Sequence, residues 1–135
     1  MVAAPPTLLR EADEILPGVI ADRRYFHEHP ELGFEEVETS RIVAERLRSF
    51  GFDEVQTGVA VTGVVGLLHG SRPGKVVALR ADMDALPIHE ENEVEYRSKH
   101  DGVMHACGHD AHTAMLLGVA RLLADRRDDF TGAIQ

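Results

Sequence analysis

The sequence predicts an α/β fold with helices packed on a mixed sheet, and three observations carry that expectation. Apolar residues recur at spacings of three and four in three stretches, short Val- and Leu-rich runs lie between the second and third of these, and Gly or Pro marks the joins. Segments that alternate in this way bury their apolar faces against one another in layers. At 135 residues the chain reads as one domain at most, and its 44% hydrophobic content is enough to fill a core.

The first helix is expected from Thr7 to about His29, where Leu8, Leu9, Ala12, Leu16, Val19, Ile20 and Phe26 recur at helical spacing. Pro30 ends it, because proline has no N–H to continue the ladder and restricts the residue before it. After the loop His29-Pro30-Glu31-Leu32-Gly33-Phe34, a second helix from about Glu36 to Phe50 is expected to bury Val37, Ile42, Val43 and Leu47. Gly51 stands where a C-cap belongs. Two strands follow, Val59 to Leu68 with Gly63 and Gly66 inside, and Lys75 to Ala81. The turn His69-Gly70-Ser71-Arg72-Pro73-Gly74 between them predicts a hairpin or an adjacent pair. The third helix runs from Asp110 or Ala111 to Ala124, with Met115, Leu116, Val119, Leu122 and Leu123 on one face and Gly118 allowing a neighbour to come close. Gly132-Ala133-Ile134-Gln135 looks like the opening half of a strand.

Composition narrows the function classes. The formal net charge is -9 with a pI near 5.3, and neither a basic run nor interleaved aromatics offer a nucleic-acid surface. No run is long enough to cross a membrane. Met1 to Arg24 is broken by Pro5, Pro6 and Pro17 and carries Glu11, Asp13 and Glu14, so it lacks the apolar core of a signal peptide. The lone cysteine excludes an intramolecular disulfide and suits a reducing compartment, and the cytoplasm is the expected location.

The chemistry concentrates in Met104-His105-Ala106-Cys107-Gly108-His109-Asp110-Ala111-His112, where that cysteine sits among three histidines and an aspartate just before a helical pattern. Thiolate and neutral imidazole are preferred ligands of zinc and similar divalent ions. Gly108 lets Cys107 and His109 aim at one ion from a tight turn. Two ligands do not make a site, since catalytic centres take about three protein ligands plus water, so other segments must converge there. His112, in the first helical turn, and His105, a candidate supporting donor, are each open to a functional or a structural role. His27, His29, His69, His89 and His100 read as loop or surface residues. A cysteine nucleophile is the weaker alternative, because such cysteines usually find their histidine in a distant segment.

A second cluster, Arg80-Ala81-Asp82-Met83-Asp84-Ala85-Leu86-Pro87, begins where the strand of Val76 to Leu79 runs out. Ligands of open α/β sheets gather beyond the carboxyl ends of strands, which favours a site role for both carboxylates. The other reading leaves Asp82 and Asp84 capping a turn or pairing with Arg80.

These blocks together resemble the N-terminal part of the metal-dependent amidohydrolases, the N-acyl-amino-acid deacylase, hippurate hydrolase and indole-3-acetyl-amino-acid hydrolase group, related to the aminoacylases and carboxypeptidase-like metallopeptidases. The resemblance runs from Arg23-Arg24-Tyr25-Phe26-His27-Glu28-His29-Pro30-Glu31-Leu32-Gly33-Phe34-Glu35-Glu36 through Thr62-Gly63-Val64-Val65 and Leu79 to Ile88, and ends at Cys107-Gly108-His109-Asp110. It implies an incomplete dinuclear-metallopeptidase-like catalytic domain, with residues 1–135 its N-terminal portion and a smaller lid and dimerisation domain absent. It implies Cys107 and His109 as metal ligands, Asp84 as a supporting carboxylate, and Asp82, Asp110, His105 and His112 as candidates for second-shell or substrate contacts. More distant relatives have His-x-Asp where this chain has Asp82-Met83-Asp84. Two divalent ions, drawn from zinc, manganese, cobalt and nickel, would polarise the amide carbonyl of an N-acyl amino acid and lower the pKa of a shared water, while a glutamate moves the proton. That glutamate belongs to a Gln-Pro-x-Glu-Glu stretch not found in these residues, and Glu35-Glu36 and Glu90-Glu91 lie outside that context. Homo-oligomers are the implied state of the longer relatives, and a non-catalytic fragment is the alternative.

Overall fold

The computed structural model describes residues 6–135. In chain order these form α1 (Pro6–Glu28), α2 (Val37–Ser49), β1 (Glu54–Val59), β2 (Gly63–His69), β3 (Val76–Val77), α3 (His109–Asp125), a 3-10 turn (Arg127–Asp129) and β4 (Ala133–Ile134). The part of the leader reading that rests on Met1–Pro5 lies outside the described residues. Among the described residues no helix is long and apolar enough to cross a membrane.

The three helices lie where periodicity and punctuation put them. Gly51 takes φ +83 and its N–H reaches the Arg48 carbonyl, the left-handed stop expected after α2. Their buried faces differ from the expected ones. In α3 the buried positions are Asp110, Thr113, Ala114, Leu117, Gly118 and Ala120, the first five a stripe at i, i+3, i+4, i+7, i+8, whereas Met115 and Val119 are exposed. In α2 the stripe is Thr39, Ser40, Val43, Ala44 and Leu47, and Val37 is 71% exposed. Polar residues occupy both stripes because their hydroxyls find partners: Thr113 Oγ1 donates to the Asp82 carbonyl at 3.0 Å, and Ser40 Oγ donates to the Thr62 carbonyl. Gly118 faces α1, and a Cβ there would come within 2.8 Å of Val19 Cγ2, so glycine sets the close approach of the two helices as anticipated. On α1 itself Phe26 is the buried anchor, while Leu9, Leu16 and Ile20 stay exposed.

The sheet corrects the strand expectation twice. β1 pairs antiparallel with β2 from Glu54↔Leu67 to Val59↔Gly63, so the first hairpin lies one strand earlier than anticipated. Its turn passes through Ala60 and Val61, both at positive φ. Hairpin turns of that geometry ordinarily advertise themselves with Asn-Gly or Asp-Gly, and this one has neither. The second correction concerns β2 and β3, which are not neighbours. β4 lies between them, antiparallel to β2 through Leu68↔Ile134 and parallel to β3 through Val76↔Ala133, giving the order β1-β2-β4-β3. β3 is an exposed edge and shorter than the expected Lys75–Ala81, although Leu79 N–H still reaches the Gln135 carbonyl. Phe26, Val43, Leu47, Leu117 and Ala120 form the core between helices and sheet, with Phe52, Val55, Val64 and Met83 packed against it.

Past β3 the chain is held by local pairings that build the site. Leu32 pairs with Ala85 and Leu86 with Met104, so the 30–36 loop, the 80–87 segment and the approach to α3 lie side by side. The Glu31 carboxylate caps α2 from a distance, accepting from the N–H groups of Glu38 and Thr39 and from the Thr39 hydroxyl. Glu36, buried, accepts from the Thr62 hydroxyl at 2.6 Å. The His-Pro-Glu-Leu-Gly-Phe-Glu-Glu block is therefore tied to scaffold work through two of its three glutamates, Glu31 and Glu36.

Candidate metal centre

The turn at 105–109 opens α3. Gly108 sits at the N-cap with φ +81, a left-handed conformation that a β-carbon would strain, and no side chain caps the helix. Cys107 is exposed and free at this turn. His109, the first residue of α3, turns its ring to the 80–87 segment: Nδ1 lies 3.0 Å from both the Asp84 carbonyl oxygen and Asp84 Oδ1. Both partners only accept, so Nδ1 carries the proton and Nε2 is the nitrogen left for a cation. A carboxylate behind a histidine in this way fixes its tautomer and raises its basicity as a ligand. The donor chemistry therefore fits a divalent ion, thiolate from Cys107 and Nε2 from His109. Among the described residues, no three His, Cys, Asp or Glu side chains gather as an ion cage.

The other expected residues divide. Asp82 turns away, pairing with exposed Arg80 at 2.6 Å while its carbonyl takes the Thr113 hydroxyl. His112 is exposed with its ring 5.7 Å from that of His109. His105 is buried, with neither ring nitrogen hydrogen-bonded among the described residues, and burial holds it below the ordinary histidine range, its neighbours His27 and His109 adding to that against the pull of Asp110 and Asp84. Asp110 is fully buried and points to α1, where Oδ2 accepts from Arg23 Nε at 2.8 Å and from His27 at 2.8 Å.

His27 corrects the expectation of a loop or surface histidine. It is 4% exposed, and its other nitrogen, Nε2, is 3.0 Å from Glu90 Oε1. Glu90, also buried, takes the Ser98 N–H at 2.7 Å and the Asn92 amide at 3.2 Å. Partners 63 and 83 residues from His27 leave no local signal, and only the Arg23/His27 spacing of four on one helix hinted at a shared face. Tyr96 covers the group, with Arg23 and Arg24 about 5 Å from its ring.

Burial alone would raise the Glu90 carboxyl, but the bonds from His27, Ser98 and Asn92 outweigh it and hold the group below the usual carboxylate range. A carboxylate depressed in the folded state adds stability above its unfolded value of about 4.3, and that stability is lost as pH falls through the folded value. Urea unfolding followed from about pH 7 to about pH 3 is expected to show a shallower loss of stability for Glu90→Gln than for the parent chain. Parallel pH profiles would contradict the role given to these bonds.

An open groove of about 710 Å³ runs along the sheet and reaches Asp82 and Asp84, but Cys107 and His109 do not line it.

Residues 78–135 match the model of peptidase family M20/M25/M40. The chain is 55% identical over 126 residues to an N-acyl-L-amino acid amidohydrolase of Geobacillus stearothermophilus, covering 93% of this chain and 34% of that protein. Over residues 78–135 the chain is thus similar to the M20/M25/M40 peptidases. Thermostable carboxypeptidase 2 of Saccharolobus solfataricus is 54% identical over 129 residues, covering 95% of this chain and 33% of that one. The YXEP protein of Bacillus subtilis, described as a dinuclear metal-binding peptidase of the M20 family, superposes with a TM-score of 0.85 at 43% identity over 90% of this chain and 34% of its own. The chain spans about a third of the length of the curated relatives it matches.

Proposed function

We propose that the chain is the N-terminal portion of the catalytic, metal-binding domain of a hydrolase that cleaves the amide bond of N-acyl or N-aroyl amino acids. The observation that carries this reading is the His109–Asp84 bond, which readies Nε2 for a cation two residues from the free thiol of Cys107. When bound, the divalent ions supply a Lewis acid for the amide carbonyl and lower the pKa of water. Cys107 and His109 would hold them, and Asp84 would keep the His109 ring in the ligating tautomer. Asp110 and His105 would support the turn from behind. Thiolate favours zinc, while carboxylate-rich dinuclear centres also take manganese, cobalt or nickel.

The names of two kinds of relative support one class of substrate. An N-acyl amino acid and a C-terminal peptide bond share one chemical unit, an amide whose nitrogen bears a carbon carrying a free carboxylate. The free cysteine suits the cytoplasm. The smaller lid and dimerisation domain, and with it homo-oligomer formation, would belong to the longer protein. For the 135-residue chain by itself, the lack of a three-ligand cage among the described residues favours a second reading, a weak metal binder without turnover.

Hydrolysis of N-acetyl and N-benzoyl amino acids with added divalent metal tests both. The 135-residue chain is expected to stay at the metal-only background, and a form continued through a Gln-Pro-x-Glu-Glu stretch and the later histidines is expected to turn over. Chelator-sensitive turnover by the short chain would place the base within it, with Asp84, Asp110 and Glu90 the residues to replace.

A further inference from the structure

We propose that His27 is a positioning residue for the ligand turn: bonded at one ring nitrogen to Asp110 and at the other to Glu90, it fixes the start of α3, and so Cys107 and His109, against α1 and the 88–105 segment. The inference rests on the metal reading for what the turn does, but the ordering of the turn can be measured without metal.

The start of α3 meets the 80–87 segment on one side, through His109 to Asp84 and Thr113 to the Asp82 carbonyl, and α1 on the other. Its N-cap is a glycine in the left-handed region, with no capping side chain, and Cys107 before it is exposed. What anchors the first turn is Asp110, the residue after His109, whose carboxylate is fully buried against α1. Arg23 reaches it from a side chain that is one-third exposed. His27 reaches it from the interior. Of the two contacts at His27 Nδ1, the shorter is the acceptor Asp110 Oδ2 at 2.8 Å and the longer is Arg23 Nη2, itself a donor, at 3.4 Å, so the ring donates to Asp110. At Nε2 the partner is again a carboxylate, Glu90 Oε1.

Among the described residues His27 alone has a carboxylate on each ring nitrogen. Glu90 in turn organises the segment before the turn: it accepts from Ser98 N–H and Asn92, and its carbonyl accepts from Arg97. Lys99 fastens the same segment to α1, its N–H to the Glu28 carbonyl and its ammonium to the Glu28 carboxylate. The ring of His109 is set by Asp84, and the backbone that carries it is set through Asp110 and His27. A ligand pair on a capless turn needs both, because geometry a fraction of an ångström out weakens a site.

The test uses the 135-residue chain and two readouts: amide hydrogen exchange at residues 108–112 without metal, and cobalt(II) affinity from the sulfur-to-metal absorption. His27→Gln, which cannot bridge both carboxylates, is compared with Phe26→Leu, a change of core packing one residue away. For His27→Gln, exchange at 108–112 is expected to rise about tenfold or more relative to α2. Cobalt affinity is expected to fall about 10–100-fold. Phe26→Leu is expected to lower the melting temperature without either selective effect. If both variants move the two readouts in parallel, His27 only stabilises the fold and the proposal is overturned. If the parent chain shows no cobalt absorption, the metal reading fails, and the exchange result alone decides: a selective rise supports the positioning role and its absence overturns it. Should His27→Gln fail to fold, Glu90→Ala, which frees one ring nitrogen and keeps the Asp110 bond, is expected to give the same selective rise at smaller amplitude, and no rise overturns the proposal.

Discussion

Cys107→Ser is expected to abolish the sulfur-to-metal charge-transfer absorption of the cobalt(II) form of the chain, and to lower cobalt affinity by more than the roughly 10–100-fold that follows loss of a supporting partner. Cys107 is the only cysteine, so no other thiolate can replace it. Serine keeps the size of the side chain and removes the soft donor that selects such ions. Asp84→Asn is the matched comparison. Asparagine still presents an oxygen to His109 Nδ1, the Asp84 carbonyl remains as second acceptor, and the absorption should persist with weaker binding. Absorption that survives Cys107→Ser would sink the assignment of this residue as a ligand.

Asp110→Ala is expected to cost about 3–5 kcal/mol of folding stability in urea unfolding, the range seen when one partner of a buried ion pair is removed. The alanine would leave the buried His27 Nδ1 without its acceptor and take from the part-exposed Arg23 guanidinium its shared partner. Domains of this size are stable by about 5–15 kcal/mol, so such a variant can fold and still be measured. A loss below about 1 kcal/mol, the level of a surface pair, would mean that the network is not what ties α3 to α1.

The two expectations separate chemistry from scaffold within four residues. Cys107 can be lost with little change to the core because it is exposed, and Asp110 cannot because it is fully buried. The same contrast runs through the motif blocks. Glu31 and Glu36, five residues apart in the 30–36 loop, each hold another element, one the start of α2 and the other Thr62 at the β1–β2 turn. Asp82 and Asp84, two residues apart, point to different partners, Arg80 and His109.

The ends of the helices were legible in the sequence because their causes are local: a periodic apolar pattern, proline at 30, glycine at 51, and a small residue at 118 where α1 comes close. The 107–109 turn stood out as a candidate for the same reason, since cysteine, glycine and histidine in succession carry their chemistry with them. The tertiary structure alone decided the phase of the helices. A 3.6-residue repeat permits more than one stripe, and the stripe chosen in α3 is the one whose Thr113 hydroxyl and Asp110 carboxylate meet partners on other elements. It also decided the strand order, because β4 enters between β2 and β3 from more than fifty residues away, a pairing no adjacent turn announces. It decided the place of His27 as well. A histidine's burial depends on what lies opposite it, and here that is Glu90 and Asp110, brought to one point only when α1, the 88–105 segment and α3 have closed on each other.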